Sequence, residues 1–202
     1  NPTVCPRIAE MGNAKRGFGI IEIGTGIGVL TKELAMRAEK VVAIEIDDRL
    51  MPVLEDTLSG YDNLTLINGD ILKIDLQKVF EEHFEGMEIF VCANLPYYIT
   101  SPVIMRLLEE KLPFKKIIVM VQKEAGDRLC AKVGTRESGA VTVAVNYYAK
   151  ARKLFDVSRG SFFPSPKVDS CVIGLDLTKK GNYDVKDEEL FFKMIKSAFA
   201  QR

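Results

Sequence analysis

The segment Glu22-Ile23-Gly24-Thr25-Gly26-Ile27-Gly28 constrains this chain more than any other. It closes a short apolar run, Gly19–Ile23, and opens a stretch with apolar residues at helical spacing: Val29, Leu30, Leu34, Ala35 and Ala38. Glycine lets the backbone turn tightly and approach a ligand closely. A strand, a glycine turn and a helix, in that order, begin a βαβ unit. The dinucleotide fingerprint G-x-G-x-x-G would need glycine at position 29, where this chain has Val29. The G-x-G-x-G spacing favours S-adenosylmethionine over NAD, because no pyrophosphate has to sit on the helix dipole.

The alternation continues. Strands are expected at Val41–Ile46, Leu64–Ile67, Glu88–Ala93 and Lys116–Val121, and helices at Val29–Ala38, Leu50–Leu58, Pro102–Leu112 and Glu124–Val133. Gly139–Tyr148 and Val168–Leu177 read as β, separated by the Pro-rich loop Phe163-Pro164-Ser165-Pro166, and Glu188–Phe199 reads as a final amphipathic helix. The class is α/β with a mostly parallel sheet. Such sheets bind ligands beyond the carboxyl ends of their strands, where the strand order reverses.

The loops at those ends carry a consistent set of groups. Glu45 closes the second strand, where a carboxylate accepts from both hydroxyls of a ribose. Asp70 follows the third strand and Asn68-Gly69; it is expected to accept from an adenine amino group, with the Ile71 N–H on a ring nitrogen. Asn94-Leu95-Pro96-Tyr97 follows the fourth strand. The exocyclic nitrogen of adenine is a poor nucleophile, since its lone pair is delocalised. It needs acceptors that hold the amine as charge develops. The Asn94 side chain and the Leu95 carbonyl supply two, Pro96 stiffens the turn, and Tyr97 offers a stacking face for the base. Phe162 is the candidate second wall of the base pocket, whereas Phe163 is expected in the core.

Bulk properties exclude other classes. At 202 residues and 47% apolar content, the chain can bury one substantial core. No run approaches the roughly 18–20 apolar residues of a membrane span. The four cysteines, Cys5, Cys92, Cys130 and Cys171, lack metal-ligand spacing and read as free thiols. His83 is the sole histidine and has no nucleophile near it in sequence, so neither a zinc site nor a His-based triad is expected. Net charge is zero but uneven. Residues 1–100 hold 9 basic and 16 acidic groups (−7), leaving 19 and 12 (+7) for residues 101–202. Lys123, Arg128, Lys132, Arg136, Arg152, Lys153, Arg159 and Lys167 are the candidate phosphate contacts.

Together, Glu22–Gly28, Asn94-Leu95-Pro96-Tyr97-Tyr98-Ile99-Thr100-Ser101-Pro102, Gln122-Lys123-Glu124 and Phe162–Ser170 resemble the KsgA-type ribosomal RNA adenine dimethyltransferases over nearly the whole chain. The resemblance implies a Rossmann-like class I methyltransferase fold with a seven-strand sheet. It implies an enzyme that uses S-adenosylmethionine, releases S-adenosylhomocysteine and needs no metal. Two adjacent adenosines near the 3′ end of small-subunit (16S) ribosomal RNA would become N6,N6-dimethyladenosine. Partner and setting would be an assembling small subunit in the cytoplasm, with the enzyme a monomer. The cofactor set would be Glu22, Gly24, Thr25, Gly26, Gly28, Glu45, Ile46, Asp70, Ile71 and Asn94, and the catalytic set Asn94, Leu95, Pro96, Tyr97 and Phe162. Residues 1–202 would be the catalytic domain of a longer protein, without the family's Gln-Asn-Phe-Leu-like N-terminal segment and helical C-terminal domain. Gly139-Ala140-Val141-Thr142-Val143 departs from the usual Tyr-Gly-x-Leu-Ser-Val. The alternatives are an Erm-type large-subunit methyltransferase, a non-catalytic RNA-binding factor on the same scaffold, and an NAD-dependent oxidoreductase.

Overall fold

The computed structural model describes residues 2–179 and 183–200. Its elements are α1 (Val4–Met11), β1 (Phe18–Ile23), α2 (Val29–Ala35), β2 (Lys40–Glu45), α3 (Met51–Thr57), β3 (Leu64–Asn68), α4 (Leu76–His83), β4 (Glu88–Asn94), α5 (Thr100–Glu109), β5 (Phe114–Gln122), α6 (Lys123–Leu129), α7 (Ala140–Tyr148), β6 (Lys150–Val157), β7 (Ser170–Asp176) and α8 (Glu188–Ala200).

The strands form one sheet in the order β3-β2-β1-β4-β5-β7-β6. The first five run parallel, while β7 is antiparallel to both β5 and β6. The order reverses between β1 and β4, which is where ligand loops are expected. Because β7 runs against its neighbours, the residues just before it share an edge of the sheet with the carboxyl ends of the parallel strands.

Strands buried on both faces read as continuous apolar runs, as in Ile89–Ala93 and Ile117–Val121. One face packs against α4, α5, α6, α7 and α8 through residues such as Leu76, Ile104, Leu129, Val145 and Phe192. The other packs against α1 and α2 through Ile8, Leu30 and Leu34.

Gly139–Tyr148 is the main correction, since Ala140–Tyr148 is a helix and not a strand. Its β-branched residues suggested β, but Ala144, Val145, Tyr147 and Tyr148 are buried against the neighbouring core, and packing overrides propensity. Thr142 fixes the start: its hydroxyl accepts from Gly139 N–H at 2.9 Å and donates to the Arg128 carbonyl at 2.8 Å. Three elements escaped the sequence reading. They are α1, α4 and β6, the last an edge strand whose Lys150, Arg152 and Lys153 obscure its alternation and blunt the edge.

Among the described residues no helix is long and apolar enough to cross a membrane, and no cluster of three or more His, Cys, Asp or Glu groups could hold a metal. All four cysteines are free thiols, and burial pushes each thiol above its ordinary value.

Candidate active site

A cleft of about 280 Å³ opens at the carboxyl ends of β1 to β4. Ile23, Gly24 and Gly26 line it from the glycine loop, and Glu45 and Ile46 from the end of β2. Asp70 and Ile71 line it after β3, and Asn94 and Pro96 after β4. The four loops singled out in the sequence therefore converge on one space.

The glycine loop needs glycine. Gly24, Gly26 and Gly28 have φ of +76°, +54° and +85°, a region that side chains disfavour. A Cβ on Gly24 would stand 3.1 Å from the Asn94 carbonyl oxygen, and one on Gly28 would meet Leu54 at 3.0 Å. The first loop thus lies directly against the fourth.

Glu45 organises the cleft. Its Oε2 accepts from Gly26 N–H at 2.9 Å and from the Thr25 hydroxyl at 3.0 Å, and its Oε1 accepts from Asp47 N–H at 3.0 Å. Its backbone carbonyl accepts from Gly69 N–H at 2.8 Å and from the Asn68 amide at 3.0 Å. One residue therefore ties the first, second and third loops together. Asp70 Oδ1 accepts from Leu72 N–H at 2.9 Å, which fixes the turn, and Lys73 stands 3.6 Å from Oδ2.

Asn94 ends β4, and Leu95 is buried with its N–H donating to the Met120 carbonyl at 3.3 Å. Tyr97 is partly exposed, and its hydroxyl lies 3.1 Å from Ser170 Oγ at the start of β7. That bond joins the cleft to the second half of the sheet. Beside it lies a groove of about 1160 Å³ whose lining includes Lys123, Arg128, Arg136, Arg159 and Lys167. Five of the eight candidate phosphate contacts thus gather there. Arg152 lines a different hollow with Met11 and Lys116, and Lys153 is engaged by Asp127 at 3.1 Å and Asp156 at 3.6 Å. Lys132 is not in the groove lining.

Other expected site residues fall elsewhere. Thr25 and Gly28 shape the loop from outside the cleft lining. Glu22 is completely buried on the sheet face covered by α1 and α2, and burial pushes its carboxyl up to about 8. One phenylalanine corrects the sequence reading. Phe163, expected in the core, is fully exposed, whereas Phe162 is partly buried against the core under α1 and α2.

Strand order and cleft position define a class, the class I S-adenosylmethionine-dependent methyltransferases, and the chain has their fold. The family model for ribosomal RNA adenine dimethylases matches residues 1–202, and the chain belongs to that family. It is 50% identical over 200 residues to the ribosomal RNA small subunit methyltransferase A of Bacillus licheniformis, covering 98% of this chain and 68% of that protein. Among solved structures it is similar to a dimethyladenosine transferase from Plasmodium falciparum (TM-score 0.82, 31% identity, 100% of this chain and 70% of that one). It is also similar to the 23S rRNA methyltransferase ErmE (TM-score 0.78, 28% identity, 99% and 78%). The chain is accordingly an S-adenosylmethionine-dependent methyltransferase acting on ribosomal RNA.

Proposed function

We propose that this chain is the catalytic domain of an enzyme that dimethylates N6 of two adjacent adenosines near the 3′ end of small-subunit ribosomal RNA. The small-subunit assignment follows the relatives, at 50% identity against 28% for the large-subunit enzyme ErmE. The setting is an assembling small subunit in the cytoplasm, and the enzyme works as a monomer.

One observation carries the assignment of residues: Gly24, Glu45, Asp70 and Asn94 line one cleft from four separate loops. We assign Glu45 to the ribose hydroxyls, Asp70 and the Ile71 N–H to the adenine of the cofactor, and the glycine loop to its amino-acid end. When bound, S-adenosylmethionine supplies a methyl group on a sulfonium. The Asn94 side-chain oxygen and the Leu95 carbonyl accept the two N6 hydrogens of the target adenine. They hold the nitrogen in line as the N–C bond forms and the S–C bond breaks; its surplus proton passes to water. Tyr97, held by Ser170, stacks on the base. Phe163 joins Phe162 as a candidate for the opposite wall because it is the exposed ring of the pair.

The test is incubation of the chain with S-adenosylmethionine and unmodified small and large subunits in parallel, followed by nucleoside mass spectrometry of each RNA. N6,N6-dimethyladenosine at two adjacent positions is expected, with a loss of about 10²–10³-fold in rate for Asn94→Ala. Product confined to large-subunit RNA would overturn the small-subunit reading.

A further inference from the structure

Arg106 has no place in the chemistry above, yet it reaches into the third loop. It lies on α5, and its side chain is only 19% exposed. Its Nη1 donates to the Ile71 carbonyl and its Nη2 to the Ile74 carbonyl, while its Nε donates to Glu110 Oε1 at 2.8 Å. All three guanidinium nitrogens are therefore used. The guanidinium is a planar fork with its donors in fixed directions, so it holds two loop carbonyls at once. The loop also closes on itself: the Asp70 carbonyl accepts from Lys73 N–H at 2.8 Å and from Ile74 N–H at 3.0 Å. Neither of those bonds holds the Ile71–Leu72 peptide. That peptide is a single plane whose N–H and C=O point in opposite directions. Leu72 N–H donates to Asp70 Oδ1 at 2.9 Å, and the Ile71 C=O accepts from Arg106. Asp70 and Arg106 thus grip the same peptide from opposite ends.

We infer that Arg106 is a positioning residue for the adenine of the cofactor, acting through the Ile71–Leu72 peptide and Asp70 without touching the ligand. The inference rests on the reading of Asp70 and Ile71 as the adenine contacts. With Oδ1 committed to Leu72, Asp70 has Oδ2 for the adenine amine. Lys73 stands 3.6 Å from Oδ2, but its side chain is 82% exposed, and an exposed pair of this kind fixes geometry weakly. The peptide plane sets the direction of the carboxyl, and Arg106 holds the plane. Ile71 is buried and lines the cleft beside Asp70, whereas Arg106 lies outside the cleft lining. The same guanidinium ties the third loop to the fourth. Its helix α5 follows directly on the short turn Tyr97–Ile99, and Pro96 and Ile99 on either side of that turn line the cleft. Ile99 N–H donates to the Pro96 carbonyl at 3.1 Å, which closes the turn. One side chain therefore sets the adenine loop against the helix that follows Asn94-Leu95-Pro96-Tyr97.

The experiment is calorimetric titration of the whole chain at pH 7 with S-adenosylhomocysteine and with S-inosylhomocysteine, which carries an oxygen in place of the adenine amine. The readout is the ratio of the two affinities. The parent, Arg106→Met, Arg106→Lys, Asp70→Ala and the double variant joining Asp70→Ala to Arg106→Met are compared. The parent should prefer the adenine ligand by at least about tenfold, because the other offers no amine to Asp70. Arg106→Met removes every donor at similar length. It should weaken S-adenosylhomocysteine about tenfold and S-inosylhomocysteine little, which brings the ratio towards one. Arg106→Lys keeps a cationic donor and should restore part of the ratio. On the Asp70→Ala background, Arg106→Met should change the ratio by no more than about twofold. If Arg106→Met does not fold, the shorter, neutral Arg106→Gln gives the same comparison. Equal weakening of both ligands, with the ratio unchanged, would mean a merely structural role and would overturn the inference. So would the full effect of Arg106→Met persisting in the double variant. Loss of the preference in Asp70→Ala but not in Arg106→Met would overturn the inference alone. A parent without any preference would overturn the adenine assignment together with it.

Discussion

At the residue scale the cleft depends on backbone that only glycine tolerates. Gly24→Ala would place a methyl group 3.1 Å from the Asn94 carbonyl at a φ of +76°. We expect at least a tenfold loss of cofactor affinity by calorimetry, with a modest stability loss of about 1 kcal/mol. Glu22 also makes stability depend on pH. Its carboxyl titrates near 8 in the folded chain against 4.5 as its ordinary value, so the folded state retains a proton that the unfolded chain releases. Its contribution to stability is therefore complete below about 4.5 and is lost as pH rises to 8. Glu22→Gln should melt higher than the parent at pH 8, with the gap closing towards pH 4.5, by scanning calorimetry. Gly24, Glu45, Asp70 and Asn94 were legible in the sequence because each closes an apolar strand. Glu22 lies outside the cleft lining, because one residue of strand parity decides which face a side chain takes. Phe163 was expected in the core but is exposed, because it lies in a loop where no alternation marks an inward face.

At the scale of elements, α7 and α8 are joined by a single carboxylate. Glu188 accepts from the Tyr148 hydroxyl at 2.6 Å and the Tyr147 hydroxyl at 3.1 Å, and Lys111 stands 3.5 Å away. The Tyr148 bond holds the Glu188 carboxyl below its usual range. Both tyrosines also pack on Phe192 of α8, with ring centroids 5.3 and 5.4 Å away. Glu188→Ala should lower stability by about 1–3 kcal/mol, measured by urea unfolding, because two buried hydroxyls lose their acceptor. The central parallel strands β4 and β5 were visible in the sequence because both faces are buried and their runs are largely apolar. The helix α7 was not, because Val141, Thr142, Val143 and Val145 carry a β preference that burial against the core overrules. The strand β6 was missed because charges at an edge erase the alternation that marks a strand.

At the scale of the molecule, sequence halves become spatial halves. Strands β3, β2, β1 and β4 come from the acidic half, and β5, β7 and β6 from the basic half. Cofactor loops belong to the first, and the groove with Lys123, Arg136 and Lys167 to the second. A triple charge reversal of Lys123, Arg136 and Lys167 should weaken binding to ribosomal RNA. The slope of log K against log salt should become shallower by roughly 0.7–0.9 for each phosphate that is no longer neutralised. Arg152→Glu, outside that groove, should leave both unchanged in a filter-binding assay. The sequence exposed the charge imbalance but not its geometry, since the groove is assembled by the reversed strand β7.

That reversed strand has an electrical consequence. A molecule with no net charge exerts no monopole force on a distant polyanion, but a −7 first half and a +7 second half, laid on opposite sides of one sheet, separate charge along it. In the field of an RNA surface such a body experiences torque before it touches anything. A body turned in this way presents the groove to the RNA together with the cofactor cleft that lies beside it.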